Sequence, residues 1–135
     1  MLADKYLLDL FLPGEHGSTF GGNPLAAAIG RAALQVIVDE NLVDRAAEMG
    51  EYFLEQLIEI PSAHVKEVRG KGLLIGVELK PTAGGARRFC EALQQKGILA
   101  KETHVHTIRF APPLVIDKAT IDWALPSIRA VLNIK

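Results

Sequence analysis

Leu73, Ile75, Val77 and Leu79 occupy every second position of a seven-residue stretch that follows Val65–Arg69 across Gly70-Lys71-Gly72. Period-two alternation puts one set of side chains on one face of a strand, so this set is predicted to face a core. Two strand-like runs separated by a short Gly-containing turn read as an antiparallel hairpin. The elements around it have a different period. Asn23-Pro24 is a strong helix start, because Asn caps exposed N–H groups and Pro at the first helical position loses no needed donor. Leu25, Ile29, Ala32, Val36 and Ile37 then recur at helical spacing, predicting a helix from Pro24 to about Asp39. Leu42, Ala46, Met49, Phe53, Leu54, Leu57 and Ile58 continue that rhythm in a second helix, which Pro61 ends.

The rest of the chain fits the same plan. Gly84-Gly85 opens a helix over Ala86–Lys96, with Gly97 as its stop. Ile98–Lys101 and Thr107–Phe110 are short strand candidates. Asp117 is placed to cap a last helix whose Ile121, Leu125, Ile128 and Leu132 face inward, while Pro126 should kink or split it. Met1–Leu12 reads as a short helix or an extended entry segment, and residues 13–23 have loop chemistry. The predicted class is α+β, a small, mainly antiparallel sheet covered by helices.

Composition excludes several function classes. A net charge of −1 with no Lys/Arg run gives no electrostatic footprint for nucleic acid. Cys90 is the single cysteine, so neither an internal disulfide nor a thiolate metal cluster can form, and a reducing, cytoplasmic compartment is expected. MLADKYLLDLFL is too short and too charged to span a bilayer and lacks the basic start of a signal peptide.

Three groups of residues could carry chemistry. In His16-Gly17-Ser18-Thr19-Phe20-Gly21-Gly22-Asn23-Pro24 the glycines allow close backbone approach, and the hydroxyls of Ser18 and Thr19 can donate to phosphate oxygens. The same loop also reads as a tight connection in which Ser18 and Thr19 bond their own backbone. Arg109, between core-facing Ile108 and Phe110, should point to the opposite face of its strand and suits bidentate capture of a carboxylate. An exposed strand arginine is the simpler alternative. His104 and His106 share one side of an extended segment with only Glu102 near them, which fits a solvated loop better than a metal site.

GEHGSTFGGNPLA, VRGKGLLIGVEL, LAKETH and TIRFAPPLVI occur in the order seen in the class III, pyridoxal-phosphate-dependent aminotransferases, and the chain resembles that family over essentially all 135 residues. The GEHGSTFGGNP form and the KETH…IRFAPPLVI ending are most similar to the ornithine aminotransferases. Acetylornithine aminotransferases are similar in the first two motifs. The resemblance implies a fold-type I enzyme, a homodimer with its active site at the subunit interface and pyridoxal 5′-phosphate as cofactor. It implies that Ser18 and Thr19, Thr19 above all, contact the cofactor phosphate of the neighbouring subunit. Arg109 is implied to bind the α-carboxylate of glutamate or 2-oxoglutarate, with His16 and its glycines only shaping the loop.

The family's chemistry also needs a lysine in Schiff base with the cofactor, placed before a Gly-rich run, and an acidic partner for the pyridinium nitrogen. Lys5, Lys71 and Lys101 lack that setting, so no catalytic residue is assigned here, and the lysine is expected upstream with most of the large domain. On this reading residues 1–23 are a large-domain remnant with the cofactor-phosphate loop, and residues 24–135 are the small carboxy-terminal domain. The expected activity is transfer of the δ-amino group of ornithine to 2-oxoglutarate, giving glutamate 5-semialdehyde and glutamate, with the chain inactive until joined by an upstream aminotransferase segment or a second subunit. The alternatives are an acetylornithine or other class III ω-aminotransferase, or a non-catalytic module docking on an intact subunit. Leu7, Leu8, Leu10, Phe11 and Leu12 motivate the last, because they need burial.

Overall fold

The computed structural model describes residues 3–12 and 14–134, which form two compact units, the first running through Ile37 and the second starting at Val38. Pro13, part of the predicted loop, and Met1 and Leu2 of the entry segment lie outside the described residues.

In the first unit the entry segment forms one short helix, α1 (Lys5–Leu8), and the loop leads into α2 (Pro24–Asp39), which continues two residues into the second unit. The start of α2 is set by its cap. Asn23 Oδ1 accepts from Ala26 N at 2.9 Å, while its Nδ2 donates to the Phe20 carbonyl at 2.5 Å. None of the residues of α2 is buried.

The second unit contains α3 (Leu42–Ile58), β1 (Val65–Lys71), β2 (Leu74–Leu79), a 3-10 turn over Pro81–Ala83, α4 (Arg87–Gln94), β3 (Lys101–Thr103), β4 (Thr107–Phe110) and α5 (Lys118–Val131). Its sheet has the order β1-β2-β4-β3 with every pairing antiparallel. The fold is α+β, as the alternation of periods predicted. Leu73, Ile75, Val77 and Leu79 are all buried, and Ile108 and Phe110 join them from β4. Phe53 and Leu57 of α3, Phe89 and Leu93 of α4, and Ile121 and Ile128 of α5 pack on that face.

The hairpin is tighter than expected. β1 runs on to Lys71, and the turn is Gly72-Leu73 rather than Gly70-Lys71-Gly72. Gly72 takes φ +53°, and a Cβ at Gly50 of α3 would sit 2.2 Å from its carbonyl carbon and oxygen. Helix backbone thus rests directly on turn backbone, which only glycine permits. Gly70 is similarly confined, since a Cβ there would meet the Leu74 oxygen at 2.8 Å.

Two further expectations are corrected. The third strand is Lys101–Thr103, not Ile98–Lys101. Gly97 at φ +80° closes α4, and Ile98 N donates to the Leu93 carbonyl at 3.0 Å, so Ile98 belongs to the helix stop and sheet pairing begins at Lys101. Pro126 does not split the last helix: α5 is one element with Pro126 inside it. Ile121 on one side of the proline and Ile128 and Val131 on the other are all buried, so core packing holds both halves despite the lost backbone donor.

Candidate functional site

The loop that ends at Pro24 is built from short-range bonds. Gly14 and Gly22 take positive φ, at 91° and 75°. Glu15 accepts from Leu12 N at 2.7 Å, and the His16 ring lies against Phe11, centroids 5.5 Å apart. Ser18 Oγ accepts from Gly21 N at 2.9 Å. A Cβ at Gly21 would fall 2.9 Å from Ser18 Cβ, so the bend needs a glycine there. Ser18 and Thr19 are exposed. The bond to Gly21 uses a lone pair of Ser18 and leaves its O–H free to donate. Two uncharged donors on an open loop, directly before a helix N-terminus, suit a phosphate group. The structure also realises the alternative reading in part, since Ser18 does bond its own loop.

Arg109 lies in the second unit, on β4, with β2 on one side and β3 on the other. Its neighbours in the strand are buried while it is exposed, so it stands on the sheet face opposite the core. The register sets it directly across from Gly76 of β2 and Lys101 of β3, and Gly76 in turn pairs with Arg69 of β1. One row across the outer face therefore reads Arg69, Gly76, Arg109, Lys101. An open depression of about 490 Å³ lies over it, lined by Arg69, Gly76, Leu74, Thr103, Thr107 and Arg109 among others.

The cations of this row differ in their commitments. Arg69 contacts Glu78 at 2.6 Å and Glu67 at 3.2 Å, and Lys66 contacts the other oxygen of Glu78 at 2.6 Å. Hydrogen bonds from Lys66 and Arg69 hold the Glu78 carboxyl below the usual range, and Glu78 in return raises both cations. Lys101 lies 3.8 Å from Glu102. Among the described residues no carboxylate pairs with Arg109. Rigid strand backbone, an exposed guanidinium and no carboxylate partner among the described residues make Arg109 available to a carboxylate from outside.

Other candidates have structural settings. His104 and Val105 form the β3–β4 turn with φ of 48° and 62°, and Val105 O accepts from Ala86 N at 2.8 Å. A β-branched residue rarely takes positive φ, so that turn is held by its surroundings. Among the described residues no cluster of three or more His, Cys, Asp or Glu could hold a metal ion. Cys90 is buried on α4, and burial pushes its thiol above the ordinary value. No helix among the described residues is long and apolar enough to cross a membrane.

The motifs single out Ser18, Thr19 and Arg109 as candidates one by one but do not display the row. Its signal lay in the register of two motifs, VRGKGLLIGVEL and TIRF, once paired as adjacent antiparallel strands. Nor do the motifs point to Arg45 of α3, which donates at 3.0 Å to the carbonyls of both Val115 and Ile116 and pins the segment that follows β4.

Residues 1–132 match the family described as Aminotransferase class-III. The chain is 60% identical over 133 residues to ornithine aminotransferase 2 of Staphylococcus aureus, covering 98% of this chain and 33% of that protein. Among solved structures it is similar to the ornithine aminotransferase of Plasmodium yoelii, with TM-score 0.83 and 40% identity over 97% of this chain and 35% of that one. The acetylornithine aminotransferase of Elizabethkingia anophelis gives TM-score 0.80 and 40% identity, again covering 97% of this chain and 35% of the other. The chain thus spans about a third of the length of the curated relatives it matches. With four motifs in order, a matching small α+β unit and this coverage, the chain belongs to the class III aminotransferases.

Proposed function

We propose that this chain is the carboxy-terminal part of an ornithine δ-aminotransferase, which moves the δ-amino group of ornithine to 2-oxoglutarate and yields glutamate 5-semialdehyde and glutamate. The observation that carries the reading is Arg109: exposed, fixed between two strands, and without a carboxylate partner among the described residues. In this role its planar fork takes the α-carboxylate of 2-oxoglutarate or glutamate through two parallel N–H···O bonds and so orients the substrate. Ser18 and Thr19 would hold the cofactor phosphate of the neighbouring subunit in a homodimer through hydrogen bonds donated by their hydroxyls. Pyridoxal phosphate, when bound, supplies the electron sink for the chemistry. Residues 1–23 go with the large domain and residues 24–135 form the small domain. The choice of ornithine over acetylornithine is supported by the 60% identity to a named ornithine aminotransferase.

The test is reconstitution. The chain is produced together with the upstream aminotransferase segment that its relatives carry, and ornithine-dependent glutamate formation is measured. We expect activity only in the combination, with Arg109→Ala lowering kcat/KM for 2-oxoglutarate by about a hundredfold or more. A borohydride-reducible cofactor adduct at one specific lysine of the chain by itself would sink the assignment of the reactive lysine to an upstream segment.

A second reading, a non-catalytic module that docks on an intact aminotransferase subunit, is favoured by the exposed Leu7, Leu10, Phe11 and Leu12 of the first unit. Size-exclusion chromatography of the chain mixed with an intact relative tests it. Co-elution without gain of activity supports docking, and separate elution counts against it.

A further inference from the structure

Three glycines of the second unit, Gly50, Gly70 and Gly76, differ in what surrounds them. Gly50 and Gly70 are demanded by the fold, because a Cβ would meet backbone atoms at 2.2 Å and 2.8 Å respectively. Gly76 is not. Its φ lies outside the left-handed region, and a Cβ there would meet only Thr107 Cγ2 at 3.3 Å and the Arg69 oxygen at 3.9 Å. An alanine fits once the Thr107 methyl yields by a few tenths of an ångström. Yet glycine in the middle of a strand weakens it, and such a glycine often marks a place where something else approaches the backbone closely.

Its position says what approaches. Gly76 pairs with Arg109 on one side and Arg69 on the other. Adjacent strands lie about 4.8 Å apart, so the two arginine backbones stand roughly 10 Å apart with bare backbone between them. The depression on the outer face lies over this gap. Arg69 is tied to Glu78 and Glu67 and forms a fixed far wall, while Arg109 has no carboxylate partner among the described residues.

We infer that Gly76 is a specificity-determining position of the Arg109 site: the missing side chain leaves the floor on which a small dicarboxylate lies while one of its carboxylates pairs with Arg109. The inference rests on the reading of Arg109 as a carboxylate binder. A residue that rises from position 76 fills the space beside the guanidinium and displaces the ligand without touching the charge.

The experiment uses the ¹⁵N-labelled 135-residue chain combined with the unlabelled upstream aminotransferase segment and titrated with 2-oxoglutarate, following the arginine Nε–Hε resonances, with thermal unfolding of each variant alongside. Saturable shifts are expected in the wild type and none in Arg109→Ala. Gly76→Val should weaken binding by about tenfold or more, the scale of overpacking by the three side-chain carbons it adds. Gly76→Ala should weaken it by about two- to threefold with an unchanged or higher Tm. If Gly76→Val folds and binds within twofold of wild type, the inference is overturned. If Gly76→Val does not fold, wild-type affinity in Gly76→Ala overturns it. In either case the loss in Arg109→Ala still supports the Arg109 reading. Equal binding by wild type and Arg109→Ala, or no binding by wild type, overturns that reading and this inference with it.

Discussion

Helices α2 and α5 are entered in the same way and held in different ways. Each begins at an Asx residue whose side-chain oxygen accepts from the N–H three residues on, Asn23 from Ala26 and Asp117 from Thr120. Each carries apolar residues at helical spacing. In α5 that spacing becomes burial, with Ile121, Ile128 and Val131 in the core. In α2 it does not, and Leu25 and Ile29 remain 70% and 60% exposed. A cap decides where a helix starts, whereas burial decides how much free energy keeps it there. Periodicity identifies the face that wants cover but not the surface that covers it.

The largest expected effect breaks this comparison on the packed side. Phe89 of α4 is fully buried, with the His64 ring 5.6 Å from its own. Phe89→Ala removes that payload and leaves a cavity, so unfolding free energy should fall by about 4 kcal/mol. Urea denaturation followed by the near-ultraviolet signal measures it. An Ile29→Ala change in the exposed stripe of α2 should shift the same transition by less than about 0.5 kcal/mol. Equal effects would mean that α2 belongs to the same cooperative core.

The next effect is local. Asn23→Ala deletes the cap of α2 and should cost about 1 kcal/mol, seen as faster amide exchange at Ala26 and Ala27 while exchange at Ile108 stays unchanged. Protection lost equally at Ile108 would show that the two regions unfold together.

Much of this is legible in the sequence alone. Asn23-Pro24 fixed the start of α2 because capping is chemistry between near neighbours. Ile108 and Phe110 placed β4 because alternation beside buried strands is nearly unambiguous. The misses arose where distant partners decide. Ile98 looked like a strand residue but is claimed by the Leu93 carbonyl. Pro126 predicts a kink or a split, and the split is absent because residues on both sides of it are buried. At the candidate site the pattern was the same. Ser18, Thr19 and Arg109 carry functional groups that a motif displays. Gly76 carries none, and its meaning depends on what the register sets beside it.

The smallest effect separates the two caps by charge. Asn23 carries no titratable group, whereas Asp117 carries a carboxyl that titrates in acid. Hydrogen bonds from Thr120 hold the Asp117 carboxyl below its ordinary value, and the charge of Arg45 adds to this. A carboxyl whose folded pKa lies below its unfolded value of about 3.9 contributes stability that is fully present above that unfolded value. The contribution is lost as pH falls through the folded pKa, because protonation removes the ionised acceptor. Glu78 and Glu102 are also lowered, by Lys66 with Arg69 and by a backbone hydrogen bond respectively, so the chain's whole acid profile mixes several groups. Asp117→Asn isolates one of them, since the amide oxygen still caps α5 but no longer titrates. The stability difference between wild type and Asp117→Asn should be level from pH 7 to about 5 and shrink below about 4. Asn23→Asp should bring the same acid-dependent difference to α2. A difference for Asp117 that stays level to pH 2 would show that ionisation of the cap adds nothing, leaving hydrogen-bond geometry as the common term at both helix starts.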